Sequence, residues 1–339
     1  MKMFNKSRIA WTISALFLVA VTSCSKDESA EQSTSPSADQ ILFTGEQAGL
    51  TVKSALIGNS DFIADAGSTL KTTLHGNETW WTSLTDKTGI YSTEARTATS
   101  AGGTLGIVNF EYIADNTAAS TPFTATAPMF WGVANTIHNF YAYYPYNANA
   151  PVPQPAAATV PVGVISTQSQ LVVNDYTHIG ALDFLVATPI SVISPNNTGQ
   201  TTHPTVHLVY NHLFAIVEFN IYGSGTIGGV RLTGTDLALA GAVIDIKQST
   251  PAPGVAYTLA DQGSKATAVI VNLATATTLT GTATNTKVYM VIYPGYAGTC
   301  SIEFLNGGVW KNLVTKQTPA GGFLRGQYYT VTVNAGAIL

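Results

Sequence analysis

Cys24 is the residue whose neighbours point most directly to a chemistry. It closes Val21-Thr-Ser-Cys24, and before it stand Lys2, Lys6 and Arg8 followed by the apolar run 9–21. That run is too short to cross a bilayer as a helix but has the length of a signal-peptide core. Small residues ahead of a cysteine admit a lipoprotein peptidase, and the thiol sulfur takes up a diacylglycerol. Residues 1–23 therefore read as a lipoprotein signal peptide and Cys24 as a lipidated mature N-terminus. Cys300 is the only other cysteine, and a lone thiol, which forms no intrachain bridge, reads as a small buried apolar residue.

The other residues capable of chemistry argue against a reaction centre. His203, His207 and His212 invite a metal reading, but along a strand His203 and His207 share one face and His212 takes the other. No metal and no cofactor is expected. Gly223, Gly225 and Gly228 form a Gly-x-Gly-x-x-Gly that runs on into strand-like sequence, so the helix N-terminus a pyrophosphate needs is missing. With no Gly-x-Ser-x-Gly elbow and no His-Glu-x-x-His pair, the chain is expected not to be an enzyme. Phe130, Trp131, Phe140, Tyr141, Tyr143, Tyr144 and Tyr146 could stack on sugars, yet their period-two spacing fits alternate rings packing a sheet core better.

Charge narrows the partners. Of 339 residues only 10% are Asp, Glu, Lys or Arg, against a usual ~25%. The formal charge is −4; taking Lys2, Lys6 and Arg8 from the 15 basic residues leaves 12 against 19 acidic, or −7. An acidic body does not attract phosphate polymers, so nucleic acid is not a partner.

Strands must position these residues. With 30 Gly and 15 Pro, the chain reads as short strand-like pieces at 41–44, 90–93, 105–112, 139–144, 163–166 and 182–187, then at 229–232, 242–246, 256–259, 267–273, 287–293, 299–305, 309–314 and 327–334. No stretch keeps a helical period. The longest run of strand formers, 206–222, reads as one buried strand: Leu213, Ala215, Val217, Phe219 and Ile221 face a core, and the other face reaches a sheet surface at Glu218 and Asn220. The turn-rich stretch 193–204 marks a boundary before it. The expected organisation is a signal peptide (1–23), a lipidated flexible tether (24–40), an N-terminal β-sandwich domain (41–205) and a C-terminal one (206–339). The glycine-rich joint 223–229 suits a hairpin.

A family resemblance rests on an ordered set of motifs. Gly76-Asn-Glu-Thr-Trp80, Asp86-Lys-Thr-Gly-Ile-Tyr91, Asn109-Phe-Glu-Tyr112, Pro128-Met-Phe-Trp131, Asn139-Phe-Tyr-Ala-Tyr-Tyr-Pro-Tyr146 and Asp183-Phe-Leu-Val-Ala187 come first. His212-Leu-Phe-Ala-Ile-Val217, Gly229-Val-Arg-Leu232, Tyr289-Met-Val-Ile-Tyr-Pro294 and Gly326-Gln-Tyr-Tyr-Thr-Val-Thr-Val333 follow. In this order they resemble the fimbrillin family of the Bacteroidales type V fimbriae, over nearly the whole mature chain. The resemblance implies an all-β protein of two tandem transthyretin-like β-sandwiches, a stalk, tip or anchor lipoprotein of a fimbrium that supports adhesion.

It also implies an assembly mechanism. In that family an outer-membrane protease removes the N-terminal segment after a basic residue, and another subunit's terminal strand fills the groove. Family pilins carry an Arg for this cut. Here the corresponding stretch offers Lys53 as the candidate processing site, no Arg lying between Cys24 and Arg96. The strand at 41–44 is expected at an edge, with Ile41 and Phe43 in the core, and residues 328–339 are the candidate donor or simply the last strand of their own domain. Ser25, Lys26, Asp27 and Glu28 are similar to the export signal of Bacteroidota surface lipoproteins, which places the protein at the cell outer membrane facing outward. Its partners are then other fimbrial subunits, the outer membrane through the lipid, and a host or bacterial surface ligand. The competing reading is a surface lipoprotein that does not polymerise and binds a host ligand or glycan.

Overall fold

Alternating side chains over short runs make strand the main element of the described residues, with helix confined to one four-residue turn. A computed structural model describes residues 40–48, 61–64, 73–75, 78–97, 109–150, 159–195, 203–247, 259–281 and 286–338. In chain order these carry β1 (Leu42–Gln47), β2 (Phe62–Ala64), β3 (Thr73–His75), β4 (Glu78–Trp80), β5 (Lys87–Ser92), β6 (Phe110–Ala114) and β7 (Ser120–Thr124). Next come β8 (Ile137–Tyr144), β9 (Thr159–Val164), β10 (Thr167–Gln170), the short helix α1 (Ile179–Leu182), β11 (Leu185–Ala187), β12 (Ile190–Ile193) and β13 (Thr205–His212). The rest are β14 (Ala215–Asp245), β15 (Leu259–Asp261), β16 (Ser264–Thr278), β17 (Lys287–Ile292), β18 (Thr299–Asn306), β19 (Val309–Gln317) and β20 (Tyr328–Ile338).

The first sheet runs β11-β13-β1-β7-β6-β5-β8-β12, with β11 also pairing β8. That last pairing closes the sheet around a core of Ile41, Phe43, Trp81, Ile90, Tyr112, Phe123, Phe140, Val206, Leu208 and Tyr210. The second sheet is organised by β14, which is 31 residues long and changes partners as it goes. Its start lies between antiparallel β17 and parallel β20, with β2 beyond β20. Its middle lies between β16 and β18, and its end between β9 and β15. Ala215, Val217, Phe219, Ile221, Val230, Leu232, Val269, Met290, Ile302, Phe304, Val331 and Val333 fill the core this sheet wraps.

A third core lies between the two. Ile216, Tyr289, Val291 and Tyr328, on the other face of β14, β17 and β20, meet Val160, Val162, Ile179, Phe184, Leu213, Phe214 and Ile244 together with Tyr91 and Tyr143 of the first sheet. Three buried layers of apolar side chains run through the molecule.

Several expectations change on contact with this architecture. Residues 206–222 are two strands, because the alternation breaks at Leu213 and Phe214: Val206, Leu208, Tyr210 and His212 point into the first sheet's interior, and Ala215 to Ile221 use the opposite parity in the second. Glu218 does not reach a surface. It is buried and accepts a hydrogen bond from the Tyr328 hydroxyl while Lys287 Nζ sits 3.0 Å from its other oxygen. Sheet membership crosses the division drawn at 205/206 in both directions, since β13 pairs with β1 and β11 whereas β2, β9 and β10 join the second sheet. The stretch 223–229 is no hairpin but continuous strand, where β14 exchanges β20 for β16. Gly225, at φ +99°, is required there because a Cβ would lie 2.1 Å from the Ile338 carbonyl oxygen.

Candidate functional site

The strand on which the expected mechanism turns is β1. Its sequence alternates cleanly: Ile41, Phe43, Gly45 and Gln47 are buried, and Leu42 and Glu46 are exposed. Ile41 and Phe43 are each 1% exposed, and Phe43 meets the rings of Tyr112 and Phe140 edge-on at 4.9 and 5.3 Å between centroids. Burying two side chains of this size contributes about 1.5–3 kcal/mol each.

The expected edge position is corrected. β1 lies inside the sheet, parallel to β13 from Leu42↔Thr205 to Gln47↔Tyr210 and antiparallel to β7 from Phe43↔Phe123 to Glu46↔Ser120. The reason is topological: β13, arriving from far along the chain, covers the side of β1 that would otherwise stay unpaired. Two further backbone bonds extend the hold, Ile41 N–H to the Met129 carbonyl at 2.9 Å and Ala48 N–H to the Tyr210 carbonyl at 2.7 Å.

Polar contacts along β1 are uneven. The Trp81 indole N–H donates to the Gly45 carbonyl at 3.1 Å in a buried setting. That indole is packed edge-on by Phe123, Tyr144 and Tyr210 at 5.1, 5.5 and 5.1 Å. Tyr210 is pinned in turn by a 2.7 Å hydrogen bond between its hydroxyl and Thr88 Oγ1, and burial drives its pKa upward. The Gln47 amide, by contrast, is buried with no hydrogen-bond partner in the protein, which costs about 1–3 kcal/mol. On the outer face His207 bridges Thr44 Oγ1 at 3.0 Å and Glu46 Oε2 at 3.1 Å.

A second polar node lies where the chain leaves the first sheet for the second. His212 Nδ1 contacts Asp183 Oδ2, and the Arg325 guanidinium donates to the His212 carbonyl at 3.0 Å. The adjacent Gly326 N–H donates to the Phe214 carbonyl, and Ile216 N–H to the Gln327 carbonyl. Three of the sequence motifs, those beginning at Asp183, His212 and Gly326, thus converge on one joint.

The residues singled out from sequence fall as follows. His207 and His212 point to opposite sides of β13, and no cluster of three metal-ligating side chains occurs among the described residues. Phe130, Trp131, Phe140, Tyr143 and Tyr144 are buried, while Tyr141 and Tyr146 are half-buried. Cys300 is buried in the second sheet's core, its thiol pushed up to about 12 chiefly by that burial. Cys24, Ser25, Lys26, Asp27, Glu28 and Lys53 lie outside the described residues. Sequence reasoning missed Trp81, Gly45 and the Asp183–His212 pair; only the alternation around Gly45 and the Asp183 motif carried a local signal.

An all-β chain with a closed first sheet and one long strand shared through the second is the class this geometry defines. The fimbrillin-like family profile matches residues 71–338. The chain belongs to the fimbrillin-like family, whose members are fimbrial-type surface proteins. Among solved structures it is similar to a candidate cell adhesion protein from Bacteroides uniformis, at 15% identity and a TM-score of 0.51, covering 88% of this chain and 94% of that one. A candidate cell adhesion protein from Bacteroides ovatus matches at 14% identity and 0.47, covering 88% and 93%. A fimbrial assembly protein from Parabacteroides distasonis matches at 10% identity and 0.36, covering 86% and 90%. No protein of curated function matches in sequence.

Proposed function

We propose that this protein is a structural subunit of a cell-surface fimbrium, held to the outer membrane before processing through a diacylglycerol on Cys24 and carried to the outer face by Ser25, Lys26, Asp27 and Glu28. It assembles by strand exchange at the position of β1, after cleavage at Lys53. The observation that carries this is the placement of β1. It is the first strand of the described chain, yet it sits between β13 and β7 with both sides hydrogen-bonded. One cut in the segment between β1 and β2 therefore separates it while leaving the rest of the sheet on a continuous chain. Loss of β1 would bare two rows of ladder groups and the pockets of Ile41 and Phe43, and an extended strand from another subunit satisfies both at once.

The competing reading, a surface lipoprotein that binds a host ligand or glycan without polymerising, draws on the interior position of β1 and on the family's usual Arg being replaced by Lys53. Cleavage of the delipidated protein with a lysine-specific protease, followed by electrophoresis in SDS without boiling, separates the two. Ladders of higher mass support strand exchange; a product cut at Lys53 that forms no ladder and takes up no added peptide of residues 40–48 supports the second reading.

A further inference from the structure

Gly45 sits under a lid of rings. A Cβ at that position would lie 2.1 Å from Phe123 Cε2, 2.4 Å from its Cζ and 3.2 Å from Tyr210 Cε2. None of these rings has room to retreat: Phe123 is wedged against Trp81 and Tyr210, Tyr210 is tied to Thr88, and all three rings are buried. An aromatic side chain folded over a glycine on a neighbouring strand is a known way of pinning register in a sheet. Here the same group also reads the backbone, because the Trp81 N–H donates to the Gly45 carbonyl.

Resting on the strand-exchange reading above, we propose that Trp81, Phe123 and Tyr210 form a clamp that selects which strand can take the place of β1. The groove admits an extended segment that supplies large apolar side chains at the positions of Ile41 and Phe43 and a glycine two residues further on. Phe123 excludes a strand with any side chain there, which sets the register, and Trp81 holds the incoming backbone by donating to the carbonyl at that position. This chain's own β20 fails that requirement. Read in the direction of β1, its buried alternation is Tyr329, Val331, Val333, Ala335, with Gly336 on the other parity. β20 is also already hydrogen-bonded on both sides, by β14 and β2. β20 of this chain is therefore not the strand that fits, and copies of this chain do not join one another through β20.

The test uses the delipidated full chain with a specific protease site inserted within residues 49–60, cut so that β1 is held only by contacts. Three labelled peptides compete with β1: residues 40–48 as they stand, the same with Gly45→Ala, and residues 328–338. The expected result is uptake of the first, with the second and third bound at least roughly tenfold more weakly, the penalty of forcing a side chain into a packed site. In a Phe123→Ala acceptor the gap between the first two narrows. Equal uptake of the first two peptides, or uptake of 328–338 as strong as the first, overturns the clamp and leaves strand exchange standing. Uptake of none overturns both. The comparison on the unaltered acceptor decides the matter even if the Phe123 variant fails to fold.

Discussion

His212 and Asp183 meet at 2.5 Å with both side chains only 2% exposed, and they tie the end of β13 to the segment that leads from α1 into β11. The pair sits at the joint between two cores, where Leu213 N–H donates to the Phe184 carbonyl. Removing one partner leaves the other buried and unpaired, which costs about 1–3 kcal/mol, and more if charged. Asp183→Ala is expected to lower the urea midpoint accordingly, with Asp183→Asn, which keeps an acceptor oxygen, losing less. Equal midpoints for the two variants and the parent would contradict the role of the pair.

His138 makes stability depend on pH. Its Nε2 accepts from Gly132 N–H at 2.9 Å, so Nδ1 carries the proton and faces the Thr136 carbonyl at 3.2 Å. Burial is the main reason its pKa falls below the usual histidine value. A proton on Nε2 would also confront the Gly132 N–H. Above roughly pH 6.5 folded and unfolded chains both hold the ring neutral. As pH falls below that, the unfolded chain takes up a proton before the folded one does, and stability drops until the folded pKa is passed. His138→Gln is expected to lose less stability between pH 7.5 and 5.5 than the parent. His178, also lowered by burial, keeps part of the slope. An unchanged slope in the variant would rule His138 out as its source.

Gly225 ties the end of β20 in place. Ser224 pairs with Ala337 and Gly225 with Ile338. Gly225→Ala forces a side chain at positive φ against a backbone oxygen, so a loss of more than about 1 kcal/mol is expected. Amide hydrogen exchange should rise selectively at 336–338. A uniform rise across the second sheet would mean that the clash is relieved elsewhere.

Anchoring follows from the proposed lipid. No helix among the described residues is long and apolar enough to cross a membrane. Cys24→Ala is expected to move the protein out of the carbonate-washed membrane pellet, and shaving of intact cells with a protease should degrade the parent protein. A pelleted variant would show that something other than Cys24 holds it.

Period-two alternation, a property of neighbouring residues, was enough to read β1, β5, β8 and β16 to β20 as strands and to assign Ile41 and Phe43 to a core, because the side a strand residue faces follows from its parity. The aromatic run 139–144 could be read as packing on the same ground, and the reading of Cys24 rests on local sequence alone. Which strand lies beside which is a long-range choice that parity does not carry. Across 206–222 the even positions, His212 apart, are apolar up to Ile216 and the odd ones from Leu213 onward. That change of parity suits one long strand covered on both faces as well as two strands in different sheets, so local sequence does not decide that the chain passes between sheets at Leu213 and Phe214. Only the fold brings β13 across to enclose β1, sets Trp81 over the Gly45 carbonyl, and joins Asp183 to His212, since each of these depends on pairing between segments far apart in sequence, with the closing of a sheet and the filling of its cores deciding which pairings coexist.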